Sequence, residues 1–286
     1  MKNLKGTGVA MVTPFNEDYS INYVEAEQLI NHLIKGGADY LVIQGTTGET
    51  ATLTKEEKRS VLKHAIEVTA NRLPIVYGIG GNNTQAVLDE IKDTDFKGIS
   101  AILSVSPYYN KPSQDGIIAH FTAIADASPV PVILYNVPGR TMSNLTADTI
   151  ITLAAHDNII GIKEASGNLE QCMSIAAQRP DSFLLISGDD LLTTSMIAIG
   201  ADGVISVLAN AYPDIFKTIC HGSIEESKEA TFRLLEINPL MYAESNPVGV
   251  KNLLMHLGVC GDQVRLPLLR ASKELDQKIN AAMEKV

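Results

Sequence analysis

Tryptophan is absent from this 286-residue chain, cysteine is scarce, and basic residues are outnumbered by acidic ones. The three cysteines, Cys172, Cys220 and Cys260, are odd in number and widely spaced. This argues against a disulfide framework or a cysteine metal site and fits free buried thiols in a reducing cytoplasm. Lys and Arg total 23 against 33 Asp and Glu, a net charge of −10, which argues against nucleic acid or an anionic membrane surface as a partner. Near the N-terminus the only apolar run, Val9 to Val12, is cut off by Pro14. It is too short for a secretory signal or a membrane span. Linker-like and low-complexity stretches are also missing. The six histidines (His32, His64, His120, His156, His221, His256) all fall in or beside segments of helical pattern, and no pair has HxH spacing. A metal-dependent aldol reaction needs such ligands. The expectation is therefore an enzyme without metal or cofactor, if it is an enzyme at all.

What the chain does have is ordinary globular composition, 45% hydrophobic and 20% charged, and ample length for a large core. Short β-branched runs alternate with longer amphipathic ones. The strands are predicted near residues 8–13, 40–44, 74–78, 98–104, 131–135, 158–163, 183–187 and 201–207, each followed by a helical pattern. Eight strand–helix units predict a parallel sheet closed as a (β/α)₈ TIM barrel over residues 1–223. Residues 224–286 read as a three-helix appendage packed on the barrel, with Phe232, Leu235, Leu254, Leu257, Leu268 and Leu275 at helical spacing and no chemistry of its own. Local signals agree. Thr54 and Glu57 have capping-box spacing, and Gly36-Gly37 suits a helix C-terminus.

In such a barrel the chemistry lies at the C-terminal ends of the strands. The unusual polar residues cluster there. Gly45-Thr46-Thr47-Gly48-Glu49-Thr50 is either a polar glycine turn or a nest of N–H groups and hydroxyls for a carboxylate or phosphate. Ser106-Pro107-Tyr108-Tyr109-Asn110-Lys111-Pro112 is a stiff loop whose tyrosines suit an interface anchor or a proton relay. Tyr135-Asn136-Val137-Pro138-Gly139-Arg140-Thr141 carries an arginine just past a Pro-Gly turn, a loop charge or a two-point clamp for a carboxylate.

The run Ile159-Ile160-Gly161-Ile162-Lys163 ends a strand in lysine. It is either a solvated strand-end charge or a desolvated amine able to attack a carbonyl. Strict alternation puts Ile159, Gly161 and Lys163 on one face. Gly161 then leaves room below the amine for a small substrate. Tyr135 ends the preceding strand, about one strand spacing of roughly 5 Å away, within range of proton exchange with an intermediate on the amine.

Together VAMVTPF, GTTGETATL, SPYYNKPSQ, YNVPGRT, IGIKEASG, SGDD and GADGVISV resemble the dihydrodipicolinate synthases over the whole chain. These belong to the pyruvate-dependent class I aldolase group, which also includes the N-acetylneuraminate lyases. GTTGE and the IK strand are shared by the group. The arginine of YNVPGRT is characteristic of the synthases and is lacking in the sialic acid lyases, so Arg140 speaks against a sugar-acid substrate. The resemblance implies condensation of pyruvate with L-aspartate 4-semialdehyde in diaminopimelate and lysine synthesis. It implies Lys163 as the Schiff-base residue and Tyr135, Thr46 and Tyr109 as the proton relay, with Tyr109 entering the neighbouring subunit's site. Thr47 and Ile205 would hold pyruvate and Arg140 the semialdehyde's carboxylate. It further implies a cytoplasmic homotetramer, a dimer of tight dimers.

One feature departs from the lysine-inhibited members of the group. Their regulatory site is kept at Ala51, Asn82 and Tyr108, but Lys58 and Ala86 stand where those members have histidine and glutamate. An added cation and a lost carboxylate both oppose a cationic ligand. Weak or absent feedback inhibition is the expectation.

Overall fold

The computed structural model describes residues 4–286. Eight parallel strands close into a barrel in sequence order, β8 pairing back onto β1. The first half runs β1 (Gly6–Ala10), α1 (Tyr23–Gly36), β2 (Tyr40–Ile43), α2 (Lys55–Thr69), β3 (Ile75–Gly78), α3 (Thr84–Asp93), β4 (Ala101–Val105) and α4 (Gln114–Ala127). The second half runs β5 (Val132–Asn136), α5 (Pro138–Thr141), α6 (Ala147–Ala154), β6 (Ile159–Glu164), α7 (Leu169–Gln178), β7 (Leu184–Ser187), α8 (Thr193–Ala198), β8 (Gly203–Ser206) and α9 (Pro213–His221). Then come α10 (Ile224–Arg233), a 3₁₀ turn at Asn238–Met241, α11 (Val248–His256) and α12 (Lys273–Met283).

The helices start and stop where local chemistry directs. Thr54 and Glu57 form the reciprocal capping box that opens α2, and Ser223 with Glu226 does the same for α10. Gly37 ends α1 at φ 87, its N–H bonded to the carbonyls of Ile34 and Leu33. Alternation along each strand divides the apolar side chains into two sets. Val9, Leu41, Ile43, Leu134, Ile162 and Leu185 face the helices, while Ala10, Val42, Leu103, Ile133, Ile186 and Ile205 fill the barrel interior.

β6 departs from strict alternation. Its pairing with β5 shifts register between Val132 and Ile133, so Ile159 and Gly161 oppose consecutive residues and Ile160 has no partner. Ile159 consequently packs with the outer core and Ile160 against the inner one. The expected shared face of Ile159 and Lys163 is thus overturned by a bulge. The shift also brings Lys163 level with Tyr135.

Candidate active site

The C-terminal ends of the strands surround a cavity of about 560 Å³. Lys163, Tyr135, Thr46, Thr47 and Arg140 all line it. Lys163 is only 5% exposed, and its Nζ lies 4.4 Å from the centre of the Tyr135 ring. The ends of β5 and β6 are locked from behind. The buried Glu164 carboxylate accepts from Asn136 Nδ2 at 2.9 Å, from Gln171 Nε2 at 3.1 Å and from the Ser166 N–H at 2.7 Å. Asn136 Oδ1 in turn accepts from the Leu145 N–H. Because neighbours in a strand point to opposite sides, holding Asn136 and Glu164 outward directs Tyr135 and Lys163 inward.

After β2 the chain turns sharply through Gly45 into a 3₁₀ turn, Thr46–Gly48. Thr13 Oγ1 donates to the Gly48 carbonyl at 2.7 Å, and Asn246 Nδ2 donates to Thr47 Oγ1 at 3.0 Å. Arg140 sits in α5, a single helical turn opened by Pro138, so the expected Pro-Gly turn is the first turn of a helix. It is exposed and reaches the cavity.

Two of the expected residues lie elsewhere. Tyr109 is 88% exposed at a left-handed backbone (φ 72) and is not in the cavity wall. Ile205 is buried in the barrel interior, paired with Gly8, and Val207, just past the end of its strand, reaches the cavity instead.

Gly161 also does not do what its position suggested. A Cβ there would come within 2.7 Å of Leu184 Cβ and the Leu184 carbonyl, so β7 already fills that space. The glycine that makes room for the amine is Gly188, where a Cβ would meet Lys163 Cε at 3.1 Å. Gly188 follows β7 in the SGDD segment, and no strand pattern pointed to it. Asn238, Tyr242 and Asn246 complete the wall from residues 224–286, a segment to which no chemistry was assigned. Their spacing, i, i+4 and i+8, was the available signal.

Asp189 lines the cavity while Asp190 turns away, 2% exposed, accepting from the Leu208 N–H at 2.9 Å. Burial pushes the Asp190 carboxyl up to about 6, opposed by that hydrogen bond.

The site thus unites a buried lysine and tyrosine on adjacent strands with a hydroxyl-rich turn and an arginine at the mouth. Known proteins match the chain over its whole length. The dihydrodipicolinate synthetase family matches residues 3–286. The chain belongs to that family. It is 50% identical over its full length to 4-hydroxy-tetrahydrodipicolinate synthase of Cytophaga hutchinsonii, covering 98% of that protein. The crystal structure of a dihydrodipicolinate synthase from Bacillus anthracis matches all of the chain and 99% of its own, at 36% identity and a TM-score of 0.96. The chloride-inhibited dihydrodipicolinate synthase from Acinetobacter baumannii, solved in complex with pyruvate, matches 99% of both chains at 35% identity and a TM-score of 0.96.

No helix among the described residues of this family member is long and apolar enough to cross a membrane.

Proposed function

We infer that this chain is a carbon–oxygen lyase condensing pyruvate with L-aspartate 4-semialdehyde to 4-hydroxy-tetrahydrodipicolinate, a step of diaminopimelate and lysine biosynthesis. The observation that carries the reaction is the buried Lys163 amine beside the Tyr135 ring, in a cavity whose mouth holds Arg140.

Each residue is assigned a task. The Lys163 amine attacks the pyruvate ketone, and loss of water leaves a Schiff base. Tyr135, backed by Thr46, moves the protons of these steps. Thr47 and the N–H groups of its turn hold the pyruvate carboxylate. A proton leaves the pyruvate methyl group to give an enamine, whose carbon attacks the aldehyde while the new alkoxide takes a proton. The semialdehyde's own amine then attacks the imine carbon, closing the ring as the Lys163 amine departs. Arg140 holds the semialdehyde's carboxylate in two-point fashion. Sialic acid lyases lack an arginine there.

Tyr109 is assigned to a neighbouring subunit's relay, within a homotetramer built as a dimer of tight dimers. Its exposure, and its distance from the wall of its own cavity, support this. The unpaired thiols of Cys172, Cys220 and Cys260 support a cytoplasmic location.

Borohydride reduction with pyruvate tests the core of the reading. A pyruvate-derived mass should appear on Lys163, and purified enzyme with both substrates should form product. No mass gain overturns the Schiff-base assignment. Mixing Lys163→Ala with Tyr109→Phe subunits tests the trans role. Restored activity in the hybrid supports it, and an inactive hybrid of the same oligomeric size refutes it.

A further inference from the structure

The Glu49 carboxylate is shut inside the protein one residue past the Thr46–Gly48 turn. Its Oε1 accepts from Lys251 Nζ at 2.6 Å, and its Oε2 accepts from the Arg265 backbone N–H at 3.0 Å. Lys251, in α11, is completely buried. Its Nζ also donates to the Gln263 carbonyl at 2.7 Å and lies 4.2 Å from the centre of the Phe15 ring. Burial pushes the Lys251 amine below its ordinary value, and the Glu49 charge pulls the other way. Both ions have given up water for protein partners. Replacing such a pair with apolar side chains of similar volume is often neutral or stabilising. Net stability is therefore a weak reason for the pair, and the fixing of one backbone arrangement is a stronger one.

The arrangement in question is the turn itself. Gln44 (φ 62) and Glu49 (φ 53) bracket Gly45–Gly48, both in a left-handed region that residues with a Cβ seldom occupy. Such conformations persist where the surroundings over-determine them. Thr13 holds Gly48, Asn246 holds Thr47, and Lys251 with Arg265 holds Glu49. Three of these four anchors, Asn246, Lys251 and Arg265, come from residues 224–286. Neither Glu49 nor Lys251 is in the cavity wall.

We propose that Glu49 and Lys251 are positioning residues for the Thr46–Thr47 turn, through which the C-terminal helices set the geometry of the pyruvate carboxylate site. This rests on reading the cavity as a pyruvate site. The pair acts through the backbone of the turn, so its loss falls first on pyruvate capture and only second on the later steps.

The test titrates borohydride trapping on Lys163 against pyruvate, alongside thermal melting and steady-state rates. The variant is Glu49→Met with Lys251→Met, which removes both charges together and leaves neither ion stranded. The expected result is a melting temperature close to wild type, a half-saturating pyruvate concentration at least tenfold higher, and a much smaller loss of kcat at saturating pyruvate. A folded double variant with wild-type half-saturation overturns the proposal. If the double variant does not fold, Lys251→Arg decides. It keeps the charge but replaces a single-point donor with a wider fork that displaces Glu49, so half-saturation should rise, and an unchanged value overturns the proposal. Wild-type protein that takes no label from pyruvate refutes the pyruvate reading instead.

Discussion

Tyr135 and Lys163 are register partners on adjacent strands, and the lysine nitrogen stands 4.4 Å from the centre of the tyrosine ring. In the proposed mechanism the ring covers one side of the amine and the hydroxyl supplies the proton. Tyr135→Phe keeps the first role and removes the second. We expect unchanged thermal stability and a kcat lower by about 10²–10⁴-fold, the usual worth of a positioned acid–base group. A fall of less than threefold would remove Tyr135 from the relay.

Arg140→Ala separates the two substrates. A charge-assisted hydrogen bond is worth about 1.5–3 kcal/mol, so the KM for aspartate semialdehyde should rise at least tenfold. Pyruvate trapping on Lys163 should saturate as in wild type. An equal loss on both substrates would mean that Arg140 supports the cavity generally.

The two glycines give distinct failures. Gly161→Ala forces a methyl against the Leu184 backbone and should cost about 1–3 kcal/mol of stability, read by denaturant melting. Gly188→Ala presses on Lys163 Cε and Ala165 Cβ. It should slow Schiff-base formation more than it lowers stability. The reverse pattern would return the space-making role to Gly161.

Two carboxyls should leave opposite pH signatures. Asp190 is raised to about 6 by burial, so the folded state holds its proton more tightly than the unfolded chain does. Its contribution to stability is full at low pH and falls as pH rises through about 6. Asp190→Asn should therefore gain melting temperature relative to wild type between about pH 4 and pH 7. Glu57 is lowered to about 2, chiefly by its hydrogen bonds from Arg265, at 2.5 and 2.8 Å. Its contribution is present above the ordinary carboxylate range and is lost as pH falls toward about 2. Arg265→Met should be destabilised at neutral pH, with the gap to wild type closing in acid.

Lysine should inhibit weakly or not at all. The Lys58 ammonium lies 3.7 Å from a Glu90 carboxylate oxygen, so a cation already occupies the face of α2 toward α3. Lys58→His with Ala86→Glu should create or strengthen inhibition by lysine. Near-complete inhibition of the wild-type enzyme by sub-millimolar lysine would overturn this expectation.

Sequence alone was enough to set the period of the chain. Eight β-branched runs alternating with amphipathic ones specify a closed parallel barrel, because hydrophobic periodicity is a local property. The same local logic puts Lys163, Tyr135, Thr46, Thr47 and Arg140 at strand ends or in the loops that follow them, where this architecture keeps its chemistry. Tertiary structure decided what depends on packing between segments distant in the chain. The bulge at Ile160 reversed which isoleucines face inward, since register is set by the neighbouring strand. Leu184 took the space beside Gly161, and Gly188 opened the space beside Lys163. Glu49 and Lys251, 202 positions apart, met in the interior, where an ion persists only if another segment brings its partner.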